Sequence, residues 1–91
     1  VIINPDTKEL IIDKEVIPLT RTEYDIITLL ASNPSKIFER EDIIDRIWKD
    51  APYITERTID VHIRRLRKKI GDRANLIVSR PGYGYRVNIP E

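Results

Sequence analysis

Apolar residues recur along this chain at two periods, and the change from one to the other marks its elements. The first residues, VIIN at 1–4, are a short β-rich run, and Pro5-Asp6 marks a turn. KELIID at 8–13 reads as a second strand, and Lys14-Glu15 can turn into a third at Val16-Ile17, with Leu19 just beyond. Three short strands with tight turns predict a small antiparallel sheet covering one side of a helical core. From Thr20 the period lengthens. Tyr24, Ile27, Leu30 and Ala31 fall at helical spacing with Ile26 beside them, which predicts a core-facing stripe. Thr20 and Glu23 form a capping box in front of it, and Asn33-Pro34 ends the helix. Ile37 and Phe38 are an apolar lead-in to a second helix. That helix carries Glu39, Glu41 and Asp42 at its positive end and a stripe of Ile43, Ile44, Ile47 and Trp48. A lone Trp at such a place is a core residue, or one whose indole N–H reaches a phosphate from the core's edge.

The third helical stretch, TERTIDVHIRRLRKKIG at 55–71, organises the rest. At about 100° per residue, Ile59, Ile63, Leu66 and Ile70 fall on one side. Arg57, Val61, Arg64, Arg65 and Lys68 fall on the other. Thr58, His62 and Lys69 lie along one boundary, Asp60 and Arg67 along the opposite one. Thr55 suits the N-cap, where its hydroxyl accepts from a first-turn N–H, and Gly71 suits the position after the helix. The plain interpretation is a solvated charged face over a core stripe. The sharper one is a recognition helix in the DNA major groove, where Arg pairs bidentately with guanine.

After Gly71 the run 72–75 is a polar loop, and LIVS at 76–79 and YRVNI at 85–89 are strands. Arg80-Pro81-Gly82-Tyr83-Gly84 between them is a hairpin turn. Such a hairpin either reaches the adjacent groove or backbone, or only stabilises the domain with Tyr85 packed on the core.

Charge changes the picture. The net charge of the 91 residues is only +1, with 41% hydrophobic and 34% charged residues, an ordinary globular balance. Residues 1–56, however, carry seven Lys/Arg against twelve Asp/Glu, and residues 57–86 nine against two. A chain polarised in this way presents one end to a polyanion, while its acidic half repels DNA or meets a different partner. Without cysteine there is no disulfide or thiolate metal site. No apolar run approaches the roughly 20 residues of a membrane helix, and no secretory leader is evident, so the expected compartment is the cytoplasm. The lack of Met, even at position 1, suggests a domain cut from a longer product.

The whole order of elements resembles the OmpR/PhoB winged-helix domain, the DNA-binding output half of many bacterial response regulators. TRTEYDIITLLASNP is similar to the family's first helix, IFEREDIIDRIW to its positioning helix, ERTIDVHIRRLRKKIG to its recognition helix, and PGYGYRV to its wing. The resemblance implies an α+β winged helix-turn-helix. One domain at 1–91 would comprise an N-terminal sheet (1–19), three helices (20–71) and a C-terminal hairpin wing (72–91). It also implies a DNA-contacting set: Arg57, Thr58, Val61, His62, Arg64, Arg65, Arg67 and Lys68 from the recognition helix, Arg40 and Trp48 from the second, and Arg80 and Tyr85 from the wing. Lys49, Asp50, Ala51, Pro52, Tyr53 and Ile54 correspond to a loop that contacts RNA polymerase in some members. A receiver domain phosphorylated on Asp, head-to-tail binding to direct-repeat half-sites, a dimer on DNA and a monomer in isolation are implied as well. The sequence departs from the family's habit twice. Glu39 stands where Ser often begins the second helix, and Pro81 where an arginine often enters the minor groove. Arg80 is one residue early, which in a strand means the other face.

Two other function classes compete. One is a protein-interaction module using the acidic half or the loop at Tyr53. The other is an enzyme, but His62 has no Cys, second His or neighbouring Ser, so neither a zinc set nor a Ser/His/Asp arrangement can be assembled. PGYGY lies in a hairpin rather than between strand and helix, so it is no phosphate loop. No cofactor or metal is expected.

Overall fold

Tight connections force the N-terminal strands into an antiparallel meander. The computed structural model describes residues 2–49 and 55–88, and there β1 (Ile2–Asn4), β2 (Glu9–Ile12) and β3 (Glu15–Pro18) pair in sequence order. Ile3, Leu10 and Ile17 stand opposite one another on the inner face, and Ile2, Ile11 and Val16 on the outer. Leu10 and Ile17 are buried while Ile2 and Val16 are exposed, as the period of two requires. Asn4 Oδ1 accepts from the N–H groups of Asp6 and Thr7 and holds the first turn. The second turn is Asp13-Lys14, not Lys14-Glu15. Both residues have positive φ (50° and 70°), the twist a two-residue hairpin needs, and Glu15 already belongs to β3.

Helix α1 (Arg21–Ala31) starts with the complete capping box. Thr20 Oγ1 accepts from the Glu23 N–H at 3.2 Å, and Glu23 Oε1 accepts from the Thr20 N–H at 2.8 Å. Ile26, Ile27 and Leu30 are buried, and Tyr24 and Ala31 only partly. Helix α2 (Arg40–Ile47) has no side-chain cap. Glu39 is at the N-cap but its carboxylate makes no capping hydrogen bond, so Glu41 and Asp42 act through the helix dipole. Only Ile43 of its stripe is fully buried. Ile44, Ile47 and Trp48 pack against the core from its edge, because a helix of eight residues presents barely two turns to it.

Helix α3 (Glu56–Ile70) buries Ile59, Ile63, Leu66 and Ile70 to 2% exposure or less. Each such side chain contributes about 1.5–3 kcal/mol, so the stripe anchors the helix despite its highly charged composition. Thr55 is the N-cap but its hydroxyl caps nothing. It lies 3.5 Å from the Thr58 hydroxyl, and the Thr58 N–H donates to the Thr55 carbonyl instead. Gly71 (φ 68°) ends α3, and the following stretch is a 3-10 segment, Gly71–Leu76, rather than an open loop.

The wing pairs β4 (Ile77–Arg80) with β5 (Gly84–Val87), one residue earlier at its second strand than the sequence suggests; residue 89 lies outside the described residues. Phe38 adds a bridge to its edge: its N–H donates to the Tyr85 carbonyl (2.8 Å) and its carbonyl accepts from the Tyr85 N–H (3.0 Å). The wing is thereby attached to the start of α2. The bridge depends on Gly84. A Cβ there would lie 2.0 Å from the Phe38 carbonyl oxygen, and φ is +133°. Gly84→Ala should therefore cost about 2–4 kcal/mol, read as a lower urea midpoint, with Gly82→Ala, whose Cβ meets nothing within 4 Å, costing less.

Candidate nucleic-acid interface

With its apolar side seated, α3 turns the opposite side to solvent. Arg57, Val61, Arg64, Arg65 and Lys68 are all exposed, as the helical period predicts, and Thr58 and His62 are half-buried along the boundary. Among the described residues, no carboxylate forms an ion pair with Arg57, Arg64, Arg65 or Lys68. The Arg64 charge helps to hold the Asp60 carboxyl below its ordinary value, after the Tyr85 hydroxyl and the Arg40 guanidinium.

Four other cations are engaged within the molecule. Lys69 Nζ lies 2.6 Å from Glu23 Oε1 and 3.3 Å from the Pro18 carbonyl, tying the C-terminal half of α3 to α1 and the sheet. Arg73 reaches back to Glu15, to Asp13 (3.6 Å) and to the Ile12 carbonyl (3.3 Å). Arg40 Nε donates to Asp60 Oδ1 at 2.7 Å, and the Tyr85 hydroxyl donates to the same oxygen at 2.5 Å. Arg67 Nη2 donates to the Ile77 carbonyl at 2.8 Å, and its buried Nε has no hydrogen-bond partner.

Four of the expected contact residues also make contacts within the molecule. Arg67 is turned inward to β4, because its boundary position faces the wing rather than the groove. Tyr85 is 5% exposed and packs on the core, with its hydroxyl donating to Asp60. Arg40 is already paired. Trp48 is at the core's edge, its ring 6.2 Å from that of His62 and tilted by 32°, so it supports α3 from behind. Burial lowers the His62 pKa, as does the Arg65 charge, against an opposing pull from Glu23.

On the wing, Val78 faces Arg86 and Arg80 faces Gly84, which puts both arginines on one face of the hairpin. Arg80 is exposed, its guanidinium 6.0 Å from the ring of Tyr83, which is 65% exposed at the tip. Of the expected polymerase loop, Lys49 is exposed and residues 50–54 lie outside the described residues.

The model for the family described as "Transcriptional regulatory protein, C terminal" matches residues 13–87. The chain belongs to this family of OmpR/PhoB-type C-terminal DNA-binding domains. This winged-helix domain is 37% identical over 89 residues to the heme response regulator HssR of Staphylococcus epidermidis, covering 96% of the chain and 40% of that protein. It resembles the DNA-binding domain of the response regulator AdeR, solved in complex with an intercistronic region. That comparison has a TM-score of 0.81 and 33% identity over 97% of this chain and 93% of that one. It also resembles the Klebsiella pneumoniae RstA DNA-binding domain, solved with the RstA box, with a TM-score of 0.79 and 26% identity over 93% of this chain and 87% of that one. The winged-helix domain spans 28% to 40% of the length of curated relatives such as HssR.

Three residues in or beside this surface had places that the sequence reading missed. Glu23 was legible as a cap, but not as a carboxylate 1% exposed and paired with Lys69. Asp60 was legible only as a lone acid on a boundary of a basic helix. Arg86 carried no signal beyond its charge. Among the described residues, no group of three or more His, Cys, Asp and Glu side chains is placed to hold a metal, and no helix is long and apolar enough to cross a membrane.

Burial works to raise the Glu23 pKa, but the Lys69 ammonium, the Thr20 N–H and the Thr20 hydroxyl together hold it below the ordinary carboxylate value. A depressed folded pKa stabilises the fold above the unfolded value, about 4.3 for Glu, and the stabilisation disappears as pH falls through the folded value. The stability gap between the native chain and Glu23→Gln should therefore be widest near neutral pH and close on acidification below about pH 4. Urea unfolding of both proteins across that range measures it.

Proposed function

We propose that this chain, one winged-helix domain over residues 1–91, binds duplex DNA sequence-specifically to control transcription. The observation that carries the proposal is the cationic face of α3, on which Arg57, Arg64, Arg65 and Lys68 lie together, exposed and, among the described residues, without an ion pair, whereas Arg40, Lys69 and Arg73 are paired with carboxylates. In this reading α3 lies in the major groove. Arg57, Arg64 and Arg65 have the planar fork for guanine O6/N7 or for phosphate. Val61 reaches a thymine methyl, Lys68 holds a phosphate, and Thr58 and His62 line the groove edge. Arg40 makes a backbone contact from α2, and Arg80 with Tyr83 does so from the wing or enters the minor groove. The domain performs no catalysis.

The response-regulator relatives and the DNA complexes of AdeR and RstA support extending this to a whole protein. That protein would be a cytoplasmic regulator in which a receiver domain, phosphorylated on Asp, controls a domain monomeric by itself and dimeric on direct-repeat half-sites. The loop at 49–54 would meet RNA polymerase.

Selection from a random duplex pool at two salt concentrations tests the proposal and yields the half-site and its spacing. Recovery of no preferred sequence would refute sequence-specific reading. With six cations engaged, log K should fall with log salt at a slope near −5. Arg65→Ala should cost about 1–3 kcal/mol and relax preference at one base position if Arg65 reads a base edge, or weaken all duplexes equally if it holds a phosphate. A nearby phosphate raises the depressed pKa of His62, the chain's only histidine. Binding then takes up a proton. Affinity should rise as pH falls from about 7 to 5.5, and His62→Gln should abolish that rise in an anisotropy titration.

A further inference from the structure

Three elements converge on a single carboxylate oxygen. Asp60 lies on the flank of α3 that faces the wing, and its Oδ1 accepts both from Arg40 Nε, at the start of α2, and from the Tyr85 hydroxyl, in β5. The Arg40 guanidinium lies 5.2 Å from the Tyr85 ring centre, and the Phe38–Tyr85 backbone bridge closes the arrangement from below. On a helix that presents a bare cationic face, a carboxylate needs a reason, since close to a polyanion it is repelled. The core stripe of α3 does not use it, and the acid in the first turn of the helix is Glu56.

The geometry points to Asp60 as a positioning residue that aims Arg40 at a DNA backbone phosphate beside the wing. An arginine held through Nε keeps its two Nη groups as the fork that grips a phosphate. Held on one side by the carboxylate and on the other by the tyrosine ring, the side chain has lost its rotational freedom before DNA arrives, so ordering it adds little to the cost of binding. Asp60 is suited to the task because its carboxyl stays deprotonated and so remains an acceptor to both donors. Burial works to raise its pKa, but the Tyr85 hydroxyl and the Arg40 guanidinium hold it below the ordinary aspartate value. The same oxygen fixes the wing relative to α3, so the phosphate seat and the groove-facing side chains keep one spacing.

This role presupposes the DNA-binding reading. Its test uses a mixed-sequence duplex, because a phosphate contact acts on every sequence alike. Anisotropy titrations over a salt series give the slope, and thermal melts report folding. Arg40→Ala should reduce the slope by about 0.9. Asp60→Ala and Asp60→Glu, which respectively remove and displace the acceptor, should do the same and weaken binding roughly fivefold to tenfold near 0.1 M salt. Asp60→Asn keeps an acceptor in place and should rescue most of that loss, and Asp60→Ala should add nothing on top of Arg40→Ala.

If Asp60→Ala and Asp60→Asn both tighten binding, the carboxylate only masks Arg40, and the proposal is wrong. If melting points fall while every Asp60 variant keeps the native slope, Asp60 is a mere clamp, and the proposal is equally wrong. Should Asp60→Ala not fold, Asp60→Glu decides, since it retains the charge. A native chain without salt-dependent duplex binding would instead refute the DNA reading itself, at the first titration.

Discussion

The seating of α3 through Ile59, Ile63, Leu66 and Ile70 is the constraint on which everything else depends. Fifteen residues with so many cations have no reason to stay folded against the molecule unless one side is held by apolar burial. The inner face of the N-terminal sheet, α1 and the inward side of the wing supply the complementary surface, with Leu10, Ile17, Ile26, Leu30, Ile77 and Val87 in the same core. Because the stripe fixes rotation about the helix axis, it also decides which side chains reach solvent. The chemistry of the outward face follows from the packing of the inward one.

Polar contacts act on a finer scale. Lys69 with Glu23 fastens the C-terminal half of α3 to α1, Arg67 with the Ile77 carbonyl fastens it to β4, and Asp60 fastens its middle to α2 and β5. Each anchor lies along a boundary of the helix, between the buried and the exposed faces. Boundary positions are where a long charged side chain can reach a neighbouring element without being taken fully out of water. The consequence is a division of labour among chemically alike residues. Arg64 and Arg65 project outward, while Arg67, two positions further on, is a structural fastening.

Much of this was legible in the chain, because periodicity reports burial directly. The two faces of α3, the alternation of the sheet, the capping box at Thr20 and the hairpin at Pro81-Gly82 all rest on local geometry that neighbouring residues determine. The failures lie where residue type alone does not decide the contact. Thr55 and Glu39 have the chemistry of caps and an extended backbone like that of Thr20, yet neither side chain makes a capping hydrogen bond. Trp48 has the composition of a core residue, but a two-turn helix leaves it at the edge against His62.

By itself the sequence determined the elements, their order, the buried stripe and the cationic face, since each follows from residue types at fixed intervals along one stretch of chain. Only the tertiary structure decided which cations remain free. Arg40 and Asp60 are twenty positions apart, Tyr85 and Asp60 twenty-five, and Lys69 and Glu23 forty-six. No local pattern encodes such meetings. They exist because burial of a common core brings distant carboxylates within reach of particular cations and leaves others facing water.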